Sequence, residues 1–245
     1  MRERFSELTA SLEETLRPGE TLLSSLSAER SDFIRFSKAL VRQAGSVEQS
    51  YLTLRLARER RQAQATLALA GNSEDLDVAK AAIAQLRDAL AGLPPDPLYL
   101  INEHPECTST VRHGKLAPAS TVVDEAVERA KGRDMVGFYA GGTLYRGFAN
   151  SLGQRNWHEV DSFNFDWSLY REGDQAVKTS YAGFDWDAAA FAARMARASE
   201  EVELLGAAPR RTLEPGDYRA YLAPAAMNEV LSMVAWGGFS ARARG

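Results

Sequence analysis

DMVGFYAGGTLYRGFANSLGQRNWHEVDSFNFDWSLYREGDQAVKTSYAG, residues Asp134 to Gly183, alternates apolar and polar side chains through much of its length. A strand sends successive side chains to opposite faces. Phe163, Phe165, Trp167 and Leu169 therefore share one face, and Asn164, Asp166, Ser168 and Tyr170 the other. Leu144 to Asn150 reads as an earlier strand, separated from the first by a turn at Ser151-Leu152-Gly153-Gln154. Glu172-Gly173-Asp174 is a second turn, leading into Ala176 to Tyr181. Gly141-Gly142 is read as closing a strand from Met135 to Ala140. The pattern predicts an antiparallel meander of four strands with one buried and one wet face.

Working outward, helices flank this meander. Val122, Val123, Ala126 and Val127 predict a helix over Ser120 to Ala130. Ala188, Phe191, Met195, Ala198, Val202 and Leu205 predict another, opened by Asp185 or Asp187 and covering the apolar face of the meander. Towards the N-terminus, Phe5, Leu8, Leu12 and Leu16 mark a helix stopped by Pro18-Gly19. Strands are expected at Glu20 to Leu26, at Asp32 to Phe36 with Ala39 to Arg42 extending it, and through Leu52, Leu54 and Leu56, with a turn at Gly45-Ser46. Thr66 to Leu69 pairs with the last of these across a long polar loop that leaves the register open. Leu76, Ala79, Ile83, Leu86 and Leu90 form the buried stripe of a helix with Ser73 as its candidate N-cap. Beyond Pro209 to Pro215, a linker, Tyr218, Tyr221 and Leu222 suggest a strand and Ala225 to Ala235 a buried helix.

The expected class is α+β, with antiparallel sheets each covered by amphipathic helices, in two units plus the start of a third. The divisions are 1–100, an N-terminal α+β unit; 101–118, a linker; 119–208, the meander with its helices; and 209–245, the start of a C-terminal domain. A strand and a helix after a linker are too little to bury a core alone, so they either dock on the preceding units or begin something longer.

The 245 residues are 45% apolar and 25% charged, as in ordinary globular chains. A net charge of −4 argues against a dominant nucleic-acid surface. The single cysteine, Cys107, excludes an internal disulfide and fits a reducing compartment. The charged, amphipathic N-terminus is unlike a signal peptide, and no run is long enough to cross a bilayer. A cytoplasmic location is expected.

Three histidines limit metal chemistry. His158-Glu159 begins like the zinc pattern His-Glu-x-x-His, but Ser162 stands at the fifth position and Phe163 one further, in a strand-like segment where helical spacing does not apply. His104, Cys107 and His113 share one loop, with Asp96 or Glu106 as a further ligand, yet a structural zinc site wants four ligands at tighter spacing. Cys107 beside His104 or His113 could serve as a nucleophile, though no orienting third residue is evident. Gly141-Gly142 is not followed by Lys-Ser/Thr or a helix, which excludes a phosphate loop.

Tyr145-Arg146-Gly147-Phe148-Ala149-Asn150-Ser151, Gly153-Gln154-Arg155-Asn156-Trp157, Ala176-Val177-Lys178-Thr179 and Tyr181-Ala182-Gly183 resemble the TldD/PmbA (TldE) family. So do Asp32-Phe33-Ile34-Arg35, Val41-Arg42-Gln43-Ala44-Gly45, and the stretch from Pro215-Gly216-x-Tyr218-Arg219 to Trp236-Gly237-Gly238-Phe239-Ser240. The resemblance spans nearly all of the chain but about the N-terminal half of such proteins, so a longer protein is expected. It implies a zinc metallopeptidase pair in which a TldD-type subunit carries His-Glu-x-x-x-His and a TldE/PmbA-type subunit is its non-catalytic partner.

The matching helix here reads Asn228-Glu229-Val230-Leu231-Ser232-Met233. An amide and a thioether stand where the two imidazoles belong, and both are poor zinc donors. The resemblance therefore implies the TldE/PmbA side, with no catalytic or metal residue in this chain. Asn228, Glu229 and Met233 are degenerate positions, zinc is expected in a TldD-type partner, and an extended peptide is the shared substrate. Neither nucleic acid nor membrane is an expected partner. The alternatives are a peptidase in its own right, through Cys107 or a metal bound partly by further sequence, and a non-proteolytic binding module, towards which the family's association with DNA gyrase modulation points.

Overall fold

The computed structural model describes residues 1–207, 212–240 and 243. Its elements run α1 (Arg2–Glu13), β1 (Thr21–Ser37), β2 (Leu40–Arg58), β3 (Arg61–Ala68), α2 (Glu74–Ala91), β4 (Thr108–Arg112), α3 (Ala119–Arg129), β5 (Asp134–Asn150), β6 (Arg155–Tyr170), β7 (Ala176–Gly183), α4 (Ala188–Ala207) and α5 (Pro224–Ala235). The strands form one seven-stranded sheet in the order β3-β2-β1-β5-β6-β4, with β7 also on β6. All pairings are antiparallel except β4 with β6.

The α+β class is as expected, and so are strands with one helix-covered face. The strands attributed to two sheets, however, join into one, because β1 pairs with β5 from Leu23↔Asn150 to Phe36↔Gly137. At about 3.3 Å per residue, such strands reach roughly 55 Å, long enough to underlie two sets of helices. Even-numbered residues of β1 line the covered face throughout. Leu22 and Leu26 enter an aliphatic core with Leu52, Leu54, Ile83 and Leu86 beneath α1 and α2. Ile34 and Phe36 enter an aromatic core with Phe165, Trp167 and Phe191 beneath α3 and α4. There Phe165 and Trp167 lie 4.9 Å apart, and Trp167 meets Phe191 edge-on at 5.5 Å.

Several local expectations change. The four-stranded meander is three strands, since β5 runs unbroken through Gly141-Gly142. A Cβ on Gly142 would lie 2.2 Å from the carbonyl oxygen of Arg30, so this glycine admits the neighbouring strand and does not end its own. Gly45-Ser46 is likewise no turn: it pairs with Phe33 and Asp32, and the Phe33 ring lies over Gly45. The β1–β2 turn is Lys38-Ala39, at φ 53° and 57°, and the β2–β3 turn is Glu59-Arg60, at φ 53° and 62°. Two successive left-handed residues suit a tight hairpin, so the expected long polar loop is a two-residue turn with a defined register, Leu52↔Leu67 and Leu54↔Ala65.

The expected linker around Cys107 contains β4, whose five residues are all exposed. Ser73 makes no side-chain cap. Asn72 accepts from the Glu74 amide at 3.0 Å, and buried Asp75 accepts from Ala70 and Gly71 at 2.8 and 2.9 Å. Asp187 does open α4, accepting from Ala189 and Ala190. Of the second linker, Pro209 to Arg211 lie outside the described residues. Tyr218, Tyr221 and Leu222 are in no strand, and residues 212–223 contain neither helix nor strand. The last helix forms, but its described side chains are exposed, not buried. No helix among the described residues is long and apolar enough to cross a membrane.

Candidate functional site

Helix α5 starts with Pro224 at its first turn, where a proline ring costs no hydrogen bond. Met227, Val230, Leu231 and Val234 follow at steps of three and four, an apolar stripe. Asn228 and Glu229 sit between them. All are exposed, Met233 at 71% and the following Trp236 at 95%. Among the described residues an ion pair links α5 to the body, Lys178 Nζ to Glu229 Oε1 at 3.1 Å, with both side chains about two-thirds exposed. At such exposure the pair is worth about 0–1 kcal/mol.

Lys178 lies on β7 opposite Ser168, on the sheet face away from the cores under α1 to α4. There it borders a groove of about 550 Å³ with Arg35, Arg42, Val136, Phe138 and Asp166. Phe33 stacks on Phe138 at 6.3 Å, and the Arg35 guanidinium lies 5.7 Å above the Phe138 ring. Among the described residues no strand pairs with the far edge of β7, leaving peptide groups open to an added strand.

The other candidates do not converge. Among the described residues no group of three or more His, Cys, Asp or Glu side chains could hold a metal ion. His158 is exposed on β6, opposite Arg146 and Thr110. Cys107 accepts from the Arg155 amide at 3.3 Å and donates to the Gly153 carbonyl at 3.6 Å, so its partners are backbone groups around the β5–β6 turn. His104 is exposed near its own turn, its amide donating to Asn102.

His113 meets Asp161, Nδ1 to Oδ2 at 3.3 Å, and Asp161 also accepts from Gly114 N and from Thr143 Oγ1. Gly114 passes so close to Phe184 that a Cβ would lie 1.9 Å from its carbonyl oxygen. Asp161 thus anchors the chain where it crosses from β4 to α3. Neither Asp161 nor Lys178 stood out in the sequence as a contact residue, because their partners lie 18 to 51 residues away.

With this geometry, the chain has the fold of the TldE/PmbA-type proteins. It superposes on TldE from Thermococcus kodakarensis with a TM-score of 0.60 and 17% identity, over 81% of this chain and 47% of that one. A protein proposed to modulate a DNA gyrase from Thermotoga maritima matches with a TM-score of 0.59 and 12% identity, over 80% and 48%. A similar proposed gyrase modulator from Bacteroides thetaiotaomicron matches with 0.59 and 12%, over 81% and 48%. The chain spans about half the length of these structures. No family model and no curated protein matches the sequence.

Proposed function

We propose that this chain is a non-catalytic, TldE/PmbA-like part of a heterodimeric zinc metallopeptidase acting on unfolded or modified peptides. The observation that carries the reading is α5 itself: Asn228 and Met233 stand where the resemblance expects imidazoles, and Glu229 is engaged with Lys178. The fold likeness to TldE supports it. In this reading a TldD-type subunit in the cytoplasm holds the zinc, and neither subunit binds nucleic acid or membrane. The chain contributes surface: the free edge of β7 accepts an extended peptide as an added strand, with side chains falling into the Phe138 groove.

Mixing the chain with a TldD-type subunit should give a complex by size-exclusion chromatography and cleavage of an unfolded peptide. The chain alone should show neither zinc by elemental analysis nor cleavage. One tightly held zinc per chain together with peptidase activity would refute the proposal and favour an enzyme in its own right. A second reading, a regulatory module, draws on the gyrase-modulator descriptions of two structural neighbours. Tight binding to one folded protein with no peptide affinity would favour it.

A further inference from the structure

Between the aliphatic and aromatic cores, the helix-covered face of the sheet is bare. Along β1 the covered-face residues pass from Ala28 to Ile34 through two charged side chains, Arg30 and Asp32. A cleft of about 470 Å³ opens there, floored by Arg30, Asp32, Ser46, Glu48 and Gly141 and walled by the approach to α3 from Leu116 to Ala119. Thr143 and Tyr139 complete it.

Tyr139 is the informative residue. Only 2% of it is exposed. Its ring packs against Phe163, Phe165 and Trp186 at 6.0–6.3 Å. Its hydroxyl hangs over Gly141, where a Cβ would lie 2.3 Å from the oxygen. That hydroxyl makes no hydrogen bond to protein among the described residues; it is not sealed in the core but opens into the cleft.

Asp32 is the β1 register partner of Gly141, so its carboxylate lies beside the phenol. One oxygen, Oδ1, accepts from Ser46 Oγ at 2.5 Å. Burial, and then the charge of Asp32, push the Tyr139 pKa up to about 12, so the phenol stays protonated at neutral pH. Arg30 and Glu48 face each other across β1 and β2 without an ion pair. Their charges offset, leaving Asp32 as the net charge of the floor.

We propose that this cleft binds a primary ammonium group on a small apolar body, held by the Asp32 carboxylate and the Tyr139 hydroxyl above Gly141. The ammonium supplies donors to the free oxygen of Asp32 and to the phenol oxygen, and the Leu116–Ala119 wall covers the apolar part. A peptide amino terminus and a simple alkylamine share this chemistry. The site lies on the opposite face from the Phe138 groove.

The test is calorimetric titration of the chain by itself with trialanine, N-acetyl-trialanine and n-butylammonium. Trialanine, n-butylammonium or both should bind saturably, and the acetylated peptide should not. Trialanine alone would identify a peptide terminus; n-butylammonium alone, a small amine. Y139F removes only an unpaired hydroxyl, so it should keep the wild-type melting temperature and bind at least fivefold more weakly. D32N should weaken binding by a similar factor. No saturable binding, equal binding of the acetylated peptide, or unchanged affinity in both variants would overturn the assignment.

Discussion

Helices α4 and α5 both carry apolar residues at steps of three and four. In α4, Phe191, Met195, Ala198 and Val202 are buried against β6 and β7. In α5, Met227, Val230, Leu231 and Val234 remain exposed, and among the described residues the ion pair that ties the helix to the body is solvated. The periodic stripe records that a face can be buried, not what buries it. The stripe of α4 has Phe165 and Trp167 to pack against, both supplied by β6, two elements earlier in the chain. Among the described residues, α5 has no such surface.

The contrast breaks most sharply on a pair of truncations. Phe191→Ala should cost about 3–5 kcal/mol in urea unfolding, the range for emptying a packed aromatic site. Leu231→Ala, the same kind of change on α5, should stay within about 0.5 kcal/mol. A loss of several kcal/mol at Leu231 would mean that α5 is packed in solution.

The aromatic core also has a smaller signature with pH. Tyr139 keeps its proton to about 12 in the fold, whereas an unfolded tyrosine releases it near 10. Below pH 10 both states are protonated and the residue adds no pH dependence. Between these values the unfolded chain binds fewer protons, so stability falls as pH rises. The loss should be on the order of 2 kcal/mol by pH 12, and Y139F should lack it in matched unfolding curves.

The smallest effect belongs to the α5 tether. Glu229→Gln should change global stability by less than about 1 kcal/mol. Amide exchange should speed up in α5 while β6 is unaffected. Protection of α5 unchanged in the variant would show that something other than Lys178 holds it.

Much of the architecture was legible in the sequence because burial here is periodic. Phe163, Phe165, Trp167 and Leu169 are all buried, as their alternation demands. The turns were less legible. Lys38-Ala39 and Glu59-Arg60 take left-handed conformations without glycine or asparagine to announce them. Conversely, Gly45, Gly141 and Gly142 read as punctuation but sit inside long strands, where they admit a ring, a hydroxyl and a neighbouring backbone. β4 escaped notice because five exposed residues on an edge carry no burial pattern. At the candidate site, the absence of imidazoles from α5 was plain in the sequence, whereas the Lys178–Glu229 pair, 51 residues apart, was not.

The amino-acid order alone established the α+β class, the apolar face of the central strands and of the helices, and the lack of imidazoles at Asn228 and Met233. These are properties of neighbours along the chain. Tertiary structure decided that the strands form a single sheet, that α4 is buried while the described side chains of α5 are exposed, and that the Tyr139 hydroxyl stands above Gly141 beside Asp32 without a protein partner among the described residues. Each of these depends on segments distant in sequence meeting in space, and local periodicity does not encode which segments meet.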